Sequence, residues 1–509
     1  MRKALKRKSK RRVSTLKNRP GPIGGWDLSA RSKEAGITVA FELQNFIPEV
    51  GKVTFRKGAE DHVTGITGPV GTLMEYTFGG TSEMFAATAT DIYDVTAAGA
   101  VGAAVVSSLT NAKWGWINFS TTGGNFLCML NGADGFRTYN GSSWATQTIT
   151  GVSAASLNDL FGHKGRIWMV EEDSLSCWYL PPRQISGAAT EFDLGSIVTK
   201  GGTIVGAASW SFDGGSGPDD YWVAVTSEGE VVVYTGVDPG TSQTWQLAGV
   251  YQIDKPVGTR CILNVGSDLV ILTESGTIPM SQIQVSVSGR DMVPDAIRDP
   301  FIAASQMVAG NIAGWQLFLY RRKGWLFANI PFTSGSRQYA MNSVTKKWFE
   351  IQGWDADCWG ALESDLFYAI PDGTIVRADS SFADRGNDIV GRILTGWDDF
   401  GTDYVKHWKM VRPLQDASEV FVPLIKMQSD YNLDNVGGTA GSFAAVEGSV
   451  WDVAVWDVAE WINTSQGRSH WYGVGGTGMV GSILYEVRLK NIQLSISGWD
   501  VLFERGDVL

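Results

Sequence analysis

The chain is poor in the residues that build catalytic and metal sites. Its 509 residues include four cysteines, Cys128, Cys177, Cys261 and Cys358, far apart and never in a CxxC pair. That spacing excludes a CxxC zinc or redox motif, so reduced thiols buried as small hydrophobes are expected. His62, His163, His407 and His470 are equally isolated, with no HxH, HExxH or HxxxH. Zinc-ligand spacing is therefore absent. No GxSxG elbow, P-loop or GxGxxG entering a helix occurs. The pairs Gly201-Gly202, Gly214-Gly215 and Gly475-Gly476 then read as turn glycines. No apolar run approaches the roughly 18–20 residues of a membrane span, and the N-terminus lacks the apolar core of a secretory signal. Helical signals are short, a turn or two at 155–161 and 387–393. These absences point away from an enzyme and from any cofactor or resident metal.

What is abundant is strand and turn material. Gly reaches 61 residues and Trp, Tyr and Phe together 57. Aromatic and β-branched side chains pack on pleated surfaces, and glycine supplies the positive φ of tight turns. From about residue 84 one unit recurs: an apolar strand, a turn rich in Gly, Asp, Glu or Asn, and a second strand. Copies begin near 84, 125, 165, 220, 267, 317 and 366, at intervals of 41, 40, 55, 47, 50 and 49 residues. Blades of a β-propeller repeat at about 40–50 residues. A single hairpin cannot bury both faces, whereas radially stacked blades bury them against each other. The expected fold is all-β: a six- or seven-bladed β-propeller, against the alternative of a large irregular β-sandwich.

Past about residue 382 the pattern changes to longer strands (406–414, 419–428, 482–497). These read as a C-terminal β-sandwich-like domain over 382–509. Within it, 449–461 places Trp451, Trp456 and Trp461 five apart, a spacing that suits neither a regular strand nor a helix. The expected domains are a basic arm over 1–20, N-terminal strands and propeller over 21–381, and the C-terminal domain.

Charge is divided. Residues 1–19 carry ten basic residues and no acid, so the remainder has a net charge of −21. Such an arm is expected to be disordered alone. Arg2, Lys3, Lys6, Arg7, Lys8, Lys10, Arg11 and Arg12 are its candidate partner-docking residues, followed by Lys17 and Arg19. The arm has three readings: docking to an acidic protein groove, phosphate contact, or a solvated tail. The acidic body argues against a dedicated DNA-binding protein.

Carboxylate pairs are the remaining candidates for chemistry. Asp219-Asp220, Asp398-Asp399 and Glu171-Glu172-Asp173 are the clusters a glycosidase reading would use, with two carboxylates facing across a cleft. That reading, a glycan-binding or glycan-hydrolysing propeller, is the functional alternative. The segment 430–435 alternates oxygen ligands like a calcium loop, but Asn435 stands where the loop needs glycine. A strand-end turn is the expectation there.

The N-terminal region carries a further pattern. Gly24-Gly25-Trp26-Asp27-Leu28-Ser29 is followed by Ala40-Phe41-Glu42-Leu43-Gln44-Asn45-Phe46-Ile47-Pro48 and by Val53-Thr54-Phe55-Arg56-Lys57-Gly58. This order resembles the tail nozzle proteins of short-tailed bacteriophages, also called tail tubular protein B-like or tail stabilisation proteins. That family opens with a Gly-Gly turn, a Leu-x-Asn-x-x-Pro segment and an Arg-x-Gly strand end, then a propeller whose first blade reads like residues 85–95. The resemblance spans the N-terminal third and the propeller layout; the basic arm has no counterpart in it. It implies a non-catalytic virion protein of the phage tail, a homo-hexamer below the adaptor ring. Such a ring forms the distal DNA conduit, retains the genome until ejection and docks fibres or spikes. An acidic wall suits that role, because carboxylates repel phosphates and let DNA slide without sequence-specific grip.

Overall fold

The computed structural model describes residues 14–28, 36–213, 218–283, 295–307, 314–332, 335–432, 466–467 and 470–506. Arg2, Lys3, Lys6, Arg7, Lys8, Lys10, Arg11 and Arg12 lie outside these, as do Gly214-Gly215, residues 433–435 and the tryptophan-rich 449–461. The chain forms two compact units. One comprises Gly58–Ser343 and Ile351–Arg385; the other comprises Met1–Lys57, Val344–Glu350 and Gly386–Leu509.

The first unit is a seven-bladed propeller. The first blade is Thr72–Phe78, Thr81–Ala87, Asp91–Asp94 and Val106–Ser107. The second runs from Gly115–Thr121 through Gly124–Leu130 and Arg137–Tyr139 to Trp144–Thr146. The third begins with Leu157–His163, the fourth with Ile204–Asp213, and each has four strands. The fifth has three, Ile262–Val265, Asp268–Thr273 and Gly276–Pro279, and the helices Met280–Ile283 and Asp295–Met307 follow it. The sixth opens on Gln316–Tyr320, Trp325–Phe332 and Gly335–Asn342. In the seventh, Cys358–Leu362, Asp365–Ala369 and Ile375–Ala378 are completed by Ala59–Thr64 from the start of the unit. The innermost strands touch one another in chain order, and the seventh touches the first. The ring is closed.

The blades stack because their middle strands are apolar on both faces. In Glu230–Gly236, Val231 and Val233 enter the core shared with the fifth blade, while Val232 and Tyr234 enter the core shared with the third. Leu127 and Met129 face the first blade, and Cys128 and Leu130 face the third. Strands covered on both faces read as continuous apolar runs rather than alternating ones. Each fully buried Val or Leu contributes about 1.5–3 kcal/mol. Near the axis the strands converge so closely that glycine is required: a Cβ on Gly360 would stand 2.6 Å from Leu73 Cβ in the next blade.

Six of the seven sequence copies are the second and third strands of a blade. The copy at 317 is instead the first and second strands of the sixth blade. The short helical signals are corrected. Residues 389–395 form the strand Ile389–Thr395, and 155–161 gives one 3-10 turn, Ala154–Ser156, before the strand Leu157–His163. In both places the ladder supplies partners that a short helix lacks. The helix Asp295–Met307 was not anticipated; it buries Ile297, Phe301 and Ala304, and Phe301 meets Tyr339 edge-on at 5.2 Å.

The second unit has two sheets. Lys406–Ala417, Leu494–Arg505, Val53–Phe55 and Phe46–Pro48 pair in one, while Val39–Gln44, Ile389–Thr395, Gly481–Leu489 and Leu424–Ser429 pair in the other. They pack through Tyr485 against Trp499 at 5.1 Å and against Phe46 at 6.2 Å, a sandwich-like arrangement. The expected breaks at 20/21 and 381/382 move to 57/58 and 385/386, with an excursion at 344–350. The cause is pairing: the chain's first strands find their partners in its last 120 or so residues.

The arm is corrected too. Ser14–Pro20 is a strand laid antiparallel on Leu494–Arg505, from Ser14 opposite Glu504 to Pro20 opposite Gly498. Arg19 is fully buried there; it donates to the Gly396 carbonyl at 2.7 Å and faces Asp398 at 3.5 Å. Burial lowers its pKa to about 10, against the pull of Asp398. Counting charge over 1–19 as one solvated segment hid this, because Arg19 is an anchor and not part of the free charge.

Candidate functional site

The most concentrated polar chemistry of the propeller lies where its innermost strands begin. Arg260, just ahead of Ile262–Val265, donates through Nη2 to the Gly71 carbonyl at 2.9 Å and to Thr72 Oγ1 at 2.5 Å. Thr72 Oγ1 donates onward to the Ala112 carbonyl at 2.8 Å and accepts the Trp114 N–H at 3.0 Å. Gln316 brackets the Trp359 peptide, accepting its N–H at 3.0 Å and donating to its carbonyl at 3.3 Å. Asp159, from the third blade, packs its carboxylate against Gly115, where any side chain would collide. Enclosure raises the Asp159 pKa to about 6, opposed by the Leu160 N–H and by the charge of Arg260. Enclosure likewise lowers that of Arg260, and burial raises Asp357 to about 6. Asp159 and Asp357 share no hydrogen-bond partner among the described residues. The layer joins blades.

Four of the candidate carboxylates, Glu171, Asp220, Asp398 and Asp399, have structural work. Glu171 accepts the Trp178 indole N–H at 2.9 Å. Asp220 takes Lys164 at 2.7 Å and Ser211 at 2.6 Å; burial pushes its pKa up, but these hydrogen bonds outweigh it and lower it. The Asp219 side chain lies outside the described residues. Asp398 and Asp399 accept the N–H groups of Phe400 and Gly401, each at 2.8 Å. Asp430 accepts from the Met479 and Val480 N–H groups, as a strand-end turn residue does. Among the described residues no three His, Cys, Asp or Glu side chains cluster as metal ligands. His163 is buried, paired with Ser209 at 2.9 Å, and held neutral by burial, its pKa near 4. The four cysteines are free and buried, as expected.

The acidic turns of the repeat have a use that their sequence alone does not reveal. In several blades the turn after the second strand grips the linker that enters the same blade. Asp134 holds Thr110 through its N–H at 2.9 Å and its hydroxyl at 2.8 Å. Glu230 holds the Thr199 hydroxyl at 2.7 Å and the Lys200 N–H at 2.8 Å. Ser275 donates to Asp254 in the linker of the fifth blade. A carboxylate accepting N–H groups makes strong, charge-assisted bonds. Asp134 and Glu230 in these turns were the available signal; in the fifth blade the carboxylate stands in the linker instead.

In the second unit the residues of the N-terminal pattern form two buried joints, an Asn45–Arg56 knot and the Gly25–Trp26 strand beside Val39–Phe41. Asn45 adopts φ 61°, accepts from Arg56 Nε at 2.8 Å and donates to the Val390 carbonyl at 2.7 Å. Arg56 is 1% exposed, and its backbone N–H returns to the Asn45 carbonyl at 3.0 Å. Gly25 has φ 86°, and Trp26 donates to the Phe41 carbonyl at 2.9 Å. A surface groove of about 580 Å³ elsewhere in this unit is lined by residues 425–429, Asn432 and 473–477, with Lys426 its one charged lining residue among those described.

No protein-family model matches the chain, and no curated protein matches it. Among solved structures it is similar to the computationally designed Ika8 protein (9% identity, 63% of this chain and 99% of that one, TM-score 0.38). It is similar to the WD40 β-propeller domain of Doa1 (7% identity, 63% and 96%, TM-score 0.41). BBS1N in complex with ARL6DN is a third (10% identity, 64% and 97%, TM-score 0.38). No helix among the described residues is long and apolar enough to cross a membrane. The chain's own strand order and ring closure make it an all-β protein built on a seven-bladed propeller.

Proposed function

We propose that this chain is a structural subunit of a short-tailed phage tail: a nozzle protein that assembles as a homo-hexamer below the adaptor ring. In this reading the ring lines the distal DNA conduit, retains the genome until ejection, and docks fibres or spikes. The observation that carries it is the pair of N-terminal joints. The residues that bear the family resemblance, Gly25, Asn45 and Arg56, serve as buried structural joints. Such buried joints suit an architectural role. The structural partners of Glu171, Asp220, Asp398 and Asp399 support the same reading, as does the net charge of −19 from residue 14 onward around a phosphate-bearing cargo.

The test is mass spectrometry of purified virions together with electron microscopy of the purified protein at high concentration. The expected outcome is this chain in particles and six-fold rings in the micrographs. Absence from virions, or a strictly monomeric protein that binds glycans on a panel, would overturn the reading.

A further inference from the structure

The propeller is continuous in covalent structure from blade to blade, with one exception. Its closure lies inside the seventh blade, where Ile375–Ala378 pairs with Ala59–Thr64 with no covalent link, helped by the Arg385–Asp61 ion pair and by Val63 packed among Phe367 and Ile375. Opening that ladder would free Ala59–Thr64 and, behind it, the first blade.

Arg260 bears on this break from the inside. It stands at the entry of the innermost strand of the fifth blade, and its guanidinium ends on Gly71 and Thr72 at the entry of the first. In a ring of seven, those two blades are three places apart, the widest separation available. The side chain therefore runs across the axial opening and not along its wall. The wall between them has its own links: the Leu317 N–H to the Arg260 carbonyl at 3.1 Å joins fifth to sixth, and Gln316 on Trp359 joins sixth to seventh. Asp159, from the third blade, supplies the opposing charge.

We propose that Arg260 is a second, axial closure of the ring: a strut across the channel that holds the first blade independently of the strand closure. Guanidinium hydrogen bonds are charge-assisted, and removing Arg260 takes its donor from the Gly71 carbonyl and one of two donors from Thr72 Oγ1, so the strut contributes more than an ordinary surface bond. Lysine is a poor substitute, because both bonds leave from Nη2 and a lysine ammonium ends one bond nearer its own backbone. The proposal is independent of the tail reading.

Hydrogen exchange read by mass spectrometry on the full chain tests it, with Arg260→Ala and Arg260→Lys beside the wild type. In Arg260→Ala, exchange should rise by about tenfold or more in Ala59–Thr64, Thr72–Phe78 and Ile375–Ala378. Arg166–Glu171 and Pro218–Thr226 should keep wild-type protection. Arg260→Lys, which keeps the stem and the charge, should show the same localised pattern at smaller amplitude, and it carries the test if the alanine variant does not fold. Unchanged exchange in the closure strands, or an equal rise in every blade, overturns the proposal.

Discussion

Replacing Asp159 with asparagine should stabilise the protein at neutral pH and change little near pH 4. The folded-state pKa of Asp159 is raised to about 6, against roughly 3.9 in an unfolded chain. Between those values the folded state holds a proton that the unfolded chain has already released. Stability therefore falls as pH rises through this window, and the cost is complete above pH 6. Two pH units correspond to about 3 kcal/mol. Asp159 still touches solvent beside the axis, so roughly 1–2 kcal/mol is the expected share after screening. Asparagine keeps an oxygen for the Leu160 N–H, which Asp159 accepts at 2.9 Å, and never ionises. The assay is urea unfolding followed by tryptophan fluorescence, wild type against Asp159→Asn, at pH 4.5, 6 and 7.5. The stability difference should grow in favour of the variant by that amount from the lowest pH to the highest. Other groups titrate in both proteins and cancel in the difference. A difference that does not vary with pH, or one that shrinks as pH rises, would refute the reasoning.

His163 acts in the opposite sense: its folded pKa is depressed to about 4 by burial, so stability present above pH 6.5 is lost as pH falls toward 4. His163→Gln should flatten that acid limb in thermal melts, and an unaltered acid limb would count against it. Asp134→Ala leaves the Thr110 N–H and hydroxyl without their acceptor and should cost about 1–3 kcal/mol by calorimetry; a loss under a few tenths would show the turn grip to be incidental. Deleting residues 2–12 should leave the melting temperature unchanged. Deleting 2–19 removes nearly all of the first strand and the Arg19 anchor and should lower it by several degrees, and equal melting temperatures for the two truncations would refute the assignment.

The propeller was legible because its signal is local and repeated. Each copy is a hairpin whose turn and flanking apolar strands lie within about twenty residues, and seven such copies keep an even spacing. The number of blades became definite only with closure, since Ala59–Thr64 looks like no copy and belongs to the seventh blade through a pairing some 315 residues away. Domain limits failed for the same reason: nothing in residues 21–57 announces that Val39–Gln44 will pair with Ile389–Thr395. Among the polar residues, Asn45 and Arg56 stood out through a family pattern and proved to be bonded to each other. Asp159 and Arg260 gave no signal, because both sit alone in the sequence and acquire their importance only when strands from different blades converge on an axis.

The closure by Ala59–Thr64 has a consequence for how the protein is made. Hairpins of the first six blades are assembled from neighbouring residues and can form as the chain leaves the ribosome, roughly in the order they are translated. The strand that completes the seventh blade is synthesised before any of them, and its partner Ile375–Ala378 appears hundreds of residues later. Ser14–Pro20 waits longer still: Asn18 and Asp500, which hydrogen-bond at 2.9 Å, are 482 residues apart. The earliest segment of the nascent chain is thus the last to be paired, and it carries its basic charge unprotected throughout translation. An mRNA truncated before the codons for Ile375–Ala378 would yield a protein with most of its blades and neither of these two strand pairings. Such a product exposes open strand edges and is a natural substrate for chaperones or for self-association.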